Sequence, residues 1–349
     1  MKHLHQHSVN TWKLIGAFTA VYLIWGSTYL AIHFAIQSIP PLSMLGARFG
    51  VAGLLLFGVL RIYGIQKPTR SMWKSAFVIG TLTLGVGTGA VAWAEMYVTT
   101  GIAALLVTTV PLWMVLLDWK WKNGNAPSGA VTIGLVLGAA GIVLLVNPFQ
   151  FVESVSLMTG VGMIVVLIGA FSWSYGSLLS RDMDLPSNPF MSTAVQMVGG
   201  SVALFAVGGI RGEWIDFNIA EVTGDSWLAL GYLFFFGSIV AFSSYVWLMK
   251  NAPSEKVATY AYVNPVVAVL LGWFLAGEAL SGRIIVAMVI LVSAVIVISR
   301  SGKRSYKANG NVRKRLPVWL RRENWMYALD RPALTLRSQE DHSVESAKA

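Results

Sequence analysis

From Val257 to Gly277 the chain carries no charge over 21 residues. A helix rises about 1.5 Å per residue and needs about 20 apolar residues to cross a hydrocarbon core. The stretch therefore predicts a membrane span. Yet Thr259, Tyr260, Tyr262 and Asn264 interrupt it, followed by Pro265. Lipid tolerates polar side chains and a helix-breaking residue where they face protein or a water-filled cavity. One face of this helix is expected to look away from lipid.

The motif has an echo in residues 101–119, GIAALLVTTVPLWMVLLDW. A shift of 154 positions puts Ala104 on Ala258, Pro111 on Pro265, Val115 on Val269, Leu116 on Leu270, Leu117 on Leu271 and Trp119 on Trp273. Apolar helices resemble one another, so the shared mid-span proline carries most of this signal. Neither proline can bond the carbonyl four residues earlier, at Ala261 or Val107, which predicts an exposed acceptor and a kink.

The chain is 55% hydrophobic and 12% charged, against roughly a quarter charged in soluble domains. Its apolar residues fall in ten blocks: 12–36, 41–60, 72–94, 99–117, 129–146, 157–179, 190–210, 227–249, 257–277 and 284–299. The expectation is an all-α integral membrane protein with ten transmembrane helices. Residues 1–11 would form an N-terminal tail, 12–147 and 157–300 two five-helix units, and 301–349 a basic tail.

The net charge of +10 would point to nucleic acid in a soluble protein. Here it reads as topology. With the N-terminus inside and ten alternating helices, every lysine and arginine falls on the inner side except Arg211, Arg283 and the mid-span Arg48. The positive-inside rule then places both termini in the cytoplasm. No nucleic-acid partner is expected. The three histidines of Met1–Thr11 read as a solvated tail rather than a metal site. The first span is too long for a signal peptide. There is no cysteine, which excludes a disulfide framework, a thiolate metal site and a thiol nucleophile.

Polar residues within the blocks mark candidate sites. The first span offers Trp25, Thr28, Tyr29 and His33 at helical steps, either as a cavity face or as packing around Gly26 and Ser27. Arg48 lies about seven residues, or roughly 10 Å, inside the second span. A buried arginine costs roughly 2.5–3.5 kcal/mol to insert, so it must snorkel or find a partner. Glu95, at the outer end of the third span beside Trp93, is the candidate partner, unless it is simply wet. The fifth span carries Ala130, Gly134 and Gly138 at steps of four, a face suited to close packing within the chain or in a dimer. The sixth offers Trp173 and Ser177, the eighth Ser243 and Tyr245. Two registers relate the first and sixth spans: Trp25-Gly26-Ser27 with Tyr175-Gly176-Ser177, or Trp25 with Trp173. The residues alone leave both open.

Five spans is an odd number, so the second unit would enter the membrane inverted relative to the first. Inverted repeats are a transporter architecture with the site near the midplane.

Several stretches carry a resemblance: YLIWGSTYLAIHFAI, PPLSMLGARFGVAGLLL, GIAALLVTTVPLW, GSIVAFSSYVWL and YAYVNPVVAVLLGWFLAGEALS. Over residues 12–300 the chain resembles the EamA family of the drug/metabolite transporter superfamily, and within it the YedA-type inner-membrane transporters. That resemblance implies two inverted five-helix EamA repeats and export of small metabolites or drugs without ATP. It also implies a cavity lined by the first, third, fourth, sixth, eighth and ninth helices. Two features depart from the family. Gly277-Glu278 follows the second repeat proline, but the first half reads LLDWKWKNGN at the matching place. The basic tail also lies outside the pattern.

The expected function is secondary transport of small organic molecules across the cytoplasmic membrane by alternating access. Trp25, Trp113, Trp173, Tyr245 and Tyr260 would supply broad aromatic contact. Thr109 and Asn264 would supply hydrogen bonds beside Pro111 and Pro265. No GxxxxGK[ST] loop is present, so ATP driving by this chain and a bound cofactor are not expected. Glu95 or His33 would serve proton coupling; facilitated diffusion needs neither. The expected partners are the substrate and membrane lipid, with the chain a monomer or homodimer. A receptor or scaffold acting through the tail is the alternative. An intramembrane enzyme would need acid/base or ligand clusters, and the spans offer Glu95 and His33 with little else.

Overall fold

The computed structural model describes residues 11–98, 100–123, 126–146, 156–215, 217–276 and 281–300, all within one compact unit. The basic tail, the mid-chain loop 147–155 and the Gly277-Glu278 pair lie outside them. Among the described residues every regular element is helical. In chain order these are α1 (Thr11–Ala35), α2 (Pro41–Ile62), α3 (Arg70–Ala94), α4 (Thr100–Val107), α5 (Val110–Leu117), α6 (Gly129–Val146), α7 (Leu157–Leu179), α8 (Pro189–Ile210), α9 (Gly224–Asn251), α10 (Ser254–Val257), α11 (Tyr260–Ala276) and α12 (Gly282–Arg300).

Local chemistry sets the starts. Thr69, Ser156, Asn188 and Thr223 each accept a backbone N–H three residues on, capping α3, α7, α8 and α9. Pro41, Pro111 and Pro189 sit in first turns, where a missing N–H costs nothing. The N-terminus of α2 has no side-chain cap of its own. Glu213, in the turn after α8, reaches across to it and accepts from Leu42 N at 3.2 Å and from Ser43 N and Ser43 Oγ at 2.7 Å.

Among the described residues seven helices are long and apolar enough to cross a membrane, α1, α2, α3, α7, α8, α9 and α12, and α6 supplies a shorter apolar helix over Gly129–Leu145. The sequence led us to expect ten such helices. Two of the expected spans are broken. The fourth divides at Thr108–Thr109 into α4 and α5, and the ninth at Ala258–Thr259 into α10 and α11. At both breaks a threonine turns its hydroxyl onto the carbonyl three residues back: Thr109 Oγ1 to Leu106 O at 2.7 Å, and Thr259 Oγ1 to Lys256 O at 2.6 Å. The backbone N–H groups there also bond three residues back, tightening the turn. The prolines are not equivalent in effect. Pro111 starts a new helix, whereas Pro265 lies inside α11.

A wide, π-type turn, Asp118–Asn123, runs on from α5, and two more lie inside long helices: Thr81–Thr88 in α3 and Leu233–Phe242 in α9. The starts of the latter two segments are 152 residues apart and their ends 154, close to the 154-residue shift that relates the two prolines. The packing repeats in the same way. α2 lies along α8, and α6 along α12. The contact of α1 with α11 recurs as α7 with α5, that of α3 with α7 as α9 with α1, and that of α3 with α8 as α9 with α2.

Glycines allow the tightest crossings. A Cβ on Gly80 of α3 would stand 2.0 Å from Gln196 O of α8. The small face of α6 packs inside the chain: Gly134 meets Ile298, and Gly138 meets the Tyr262 ring. The outer surface is apolar. On α12, Ala287, Leu291, Ala294 and Ile298 are buried, while Ile285, Val286, Val289, Val292 and Ile296 are exposed. A helix apolar on all sides suits lipid on one face and protein on the other.

Candidate functional site

A cavity of about 120 Å³ opens between α1, α2, α3, the α4–α5 break, α7, α9 and α11. For scale, an engineered apolar cavity of roughly 150 Å³ admits benzene. In this conformation the space suits a single ring rather than a drug-sized molecule, whose sites run roughly 300–1,000 Å³.

Seven of the expected residues line it: Trp25, Thr28, Tyr29, Arg48, Trp173, Tyr260 and Asn264. Its aromatic wall is a connected cluster. The Trp25 ring lies 5.6 Å from Trp173, 5.1 Å from Tyr245 and 5.0 Å from Tyr260, centroid to centroid. Two contacts are edge-on, at 77°, the arrangement ring quadrupoles favour. Hydrogen bonds fix the far side: Trp173 Nε1 donates to Tyr245 Oη at 3.0 Å, and Tyr245 Oη donates to Ser177 Oγ at 2.6 Å. Tyr245 and Ser177 thus stand behind the wall and hold it. Both readings of the first span apply at once. Trp25, Thr28 and Tyr29 face the cavity, while a Cβ on Gly26 would stand 2.6 Å from Val267 Cβ of α11.

Other expected residues lie elsewhere. His33 is exposed on α1, its ring beside Phe34. Trp93 is buried under the Arg211 guanidinium, 5.0 Å from its ring, and packs on Tyr97. Trp113 packs edge-on against Phe171 at 5.4 Å. Thr109 spends its hydroxyl on the α4–α5 break, and its neighbours Val107 and Val110 face the cavity instead. Ser243 is buried beside Phe242, which does line the cavity. Neither Pro111 nor Pro265 lines it.

The Arg48–Glu95 pair, one of the two alternatives the sequence offered for each residue, does not form. Among the described residues Arg48 meets no carboxylate, and it does not snorkel. It is 5% exposed, and its Nε donates to Ser238 Oγ at 2.7 Å. Glu95 sits at the end of α3, outside the cavity, with a buried Oε1 that accepts no hydrogen bond. Arg48 points instead at the π-type segment of α9. A Cβ on Gly237 would stand 2.5 Å from Arg48 Nη2. Sequence reasoning missed Gly87, Thr88 and Gly237, which bring the π-type segments of α3 and α9 to the cavity wall. The signal available for them was small residues in mid-span, GVGTG and FGS. Among the described residues no cluster of His, Asp or Glu could hold a metal ion.

Comparison with known proteins gives a consistent picture. The EamA-like transporter family model matches residues 11–147 and again 160–300. The chain is 39% identical over 289 residues to the uncharacterized inner membrane transporter YedA of Escherichia coli (strain K12), covering 82% of this chain and 90% of that one. It is 23% identical to the uncharacterized transporter YoaV of Bacillus subtilis (strain 168), covering 82% and 96%. A solved crystal structure superposes with a TM-score of 0.67 at 22% identity, covering 83% of this chain and 96% of the other; it shares the fold.

Proposed function

The chain belongs to the EamA-like transporter family, and on that premise we propose that it exports small organic molecules across the inner membrane by alternating access at this cavity. Residues 12–147 and 157–300 act as two inverted five-helix repeats, giving ten spans with both ends in the cytoplasm. The broken helices are then the discontinuous spans that transporters place around a midplane site. Rocking one repeat against the other exposes the cavity to each side in turn.

The observation that carries this reading is the origin of the walls. Trp25, Thr28, Tyr29, Arg48 and Thr88 come from the first repeat, and Trp173, Gly237, Tyr260 and Asn264 from the second. A hollow built from both repeats changes shape when they move. A hollow inside one repeat would not.

The test uses the full-length protein in sealed proteoliposomes with radiolabelled amino acids, nucleosides and cationic drugs, with and without a pH gradient. At least one single-ring solute should show saturable flux. Thr88→Phe, which fills the cavity from α3, should abolish that flux while the protein stays folded. Flux unchanged by the filled cavity would place the pathway elsewhere, and an inert wild type across the panel would sink the transport reading.

A further inference from the structure

The cavity contains one charged side chain, and that charge is unanswered. Among its lining residues Arg48 alone is ionised at neutral pH. Its Nε is committed to Ser238 Oγ, and Ser238 in turn gives its own hydrogen to Leu233 O at 3.2 Å. That second bond spans five residues within the π-type turn, so the turn aims the serine lone pair at the guanidinium. Phe49 covers the group, its ring centroid 4.8 Å from Arg48 Cζ. The bare backbone of Gly237 lets Nη2 lie close against α9. The guanidinium is therefore held by one end, and the N–H groups on Nη1 and Nη2 are left for something else.

A second group is also unanswered. Asn264 is 3% exposed and lines the same cavity, and its Oδ1 has no hydrogen-bond partner. Buried cations and buried amides are costly when unpaired. Here both residues line one cavity, and among the described residues no side chain answers either.

We propose that the substrate of this cavity is a small monoanionic carboxylate with an apolar or aromatic body. Its carboxylate would sit on Nη1 and Nη2 of Arg48, with a second polar group reaching Asn264. Two parallel N–H···O bonds match a carboxylate end-on. Charge selects the monoanion. One guanidinium neutralises one negative charge, whereas a dianionic phosphate would leave a net charge in a low-dielectric space. The rings of Trp25, Trp173 and Tyr260 receive the body. This assignment rests on the transport reading only in calling the ligand a substrate.

The test holds the ring constant and varies the charge. Benzoate, benzyl alcohol, benzylamine and phenylphosphonate are titrated at pH 7.4 against the purified full-length protein, and tryptophan fluorescence and thermal shift are read. Benzoate should bind at least about tenfold more tightly than the other three, the scale of a charge-assisted pair. Arg48→Gln should erase that preference. Gly237→Ala, which pushes on Nη2 without touching the charge, should weaken benzoate several-fold with the melting profile retained. It keeps the test decisive if Arg48→Gln does not fold. Equal binding of all four probes, tighter phenylphosphonate, or a benzoate preference that survives the variants would overturn the assignment. Proteoliposome flux separates the two readings. Benzoate bound but never moved supports the anion site and refutes transport; benzylamine or benzyl alcohol moved without charge preference supports transport and refutes the anion site.

Discussion

Trp25 and Trp173 meet edge-on, their ring centroids 5.6 Å apart at 77°, and they hold matching places in the two halves of the chain. The residue after each one faces the carbonyl just before a proline. A Cβ on Gly26 would stand 3.2 Å from Asn264 O, and Ser174 Oγ donates to Val110 O at 3.3 Å. Asn264 precedes Pro265 and Val110 precedes Pro111. Of the two registers that the sequence left open for the first and sixth spans, this packing matches the tryptophan one. The two halves therefore touch through equivalent residues beside the cavity.

A direct contact between equivalent residues should be energetically coupled. Trp25→Ala and Trp173→Ala should each lower thermal stability. In a double-mutant cycle the pair should show a coupling of about 0.5–1.5 kcal/mol, the range for aromatic pairs beyond area burial. Trp173→Phe keeps a ring and loses the indole N–H that donates to Tyr245, and that lost bond should cost about 0.5–1.5 kcal/mol. Additive alanine variants would mean that the rings are neighbours without an interaction.

Much of this architecture was legible in the sequence because lipid leaves few options for a backbone. Long apolar blocks had to be helices, and their edges agree with the helix ends to within a few residues. Polar residues inside those blocks pointed to the cavity, and Trp25, Tyr260 and Asn264 were found that way. The rest depended on facts with no local signature. Residue type gives no direction around a helix, so exposed His33 and buried Thr28 read alike. The π-type turns arise from packing, and nothing in TLTLGVGT or LFFFGSIVAF announces them. For Arg48 the sequence offered snorkelling or a carboxylate partner, the usual remedies for a buried charge. A serine held in a π-type turn was not visible as its neighbour.

Glu213 supplies the cap that α2 lacks. Its carboxylate takes two backbone N–H groups and the Ser43 hydroxyl, and Trp214 Nε1 donates to the same Ser43 Oγ at 3.0 Å. A carboxylate at a helix N-terminus also meets the positive end of the dipole. Glu213→Ala should therefore cost about 1–2 kcal/mol. Amide exchange should rise at Leu42 and Ser43 while the middle of α2 stays protected. Glu213→Gln keeps an acceptor and loses the charge, so it should fall between the two. Unchanged exchange at Leu42 and Ser43 in the alanine variant would show that water caps this helix well enough alone.

Gly80 sets the separation of α3 and α8. The atom that a new Cβ would strike is Gln196 O at 2.0 Å, with Gly200 N next at 2.8 Å. Both are backbone, so no side chain can swing away, and one helix must move. Overpacking of this kind costs about 1–3 kcal/mol. Gly58 of α2 and Gly231 of α9 have nothing within 4 Å of the same construction, and alanine there gains up to about 1 kcal/mol of helix propensity. Gly80→Ala should lower the melting temperature or the yield of folded protein, while Gly58→Ala and Gly231→Ala hold or raise it. Adding Gln196→Ala to Gly80→Ala should give no recovery, because the obstructing oxygen belongs to the main chain. Recovery in that double variant would mean that the Gln196 side chain, rather than the helix crossing, limits the approach.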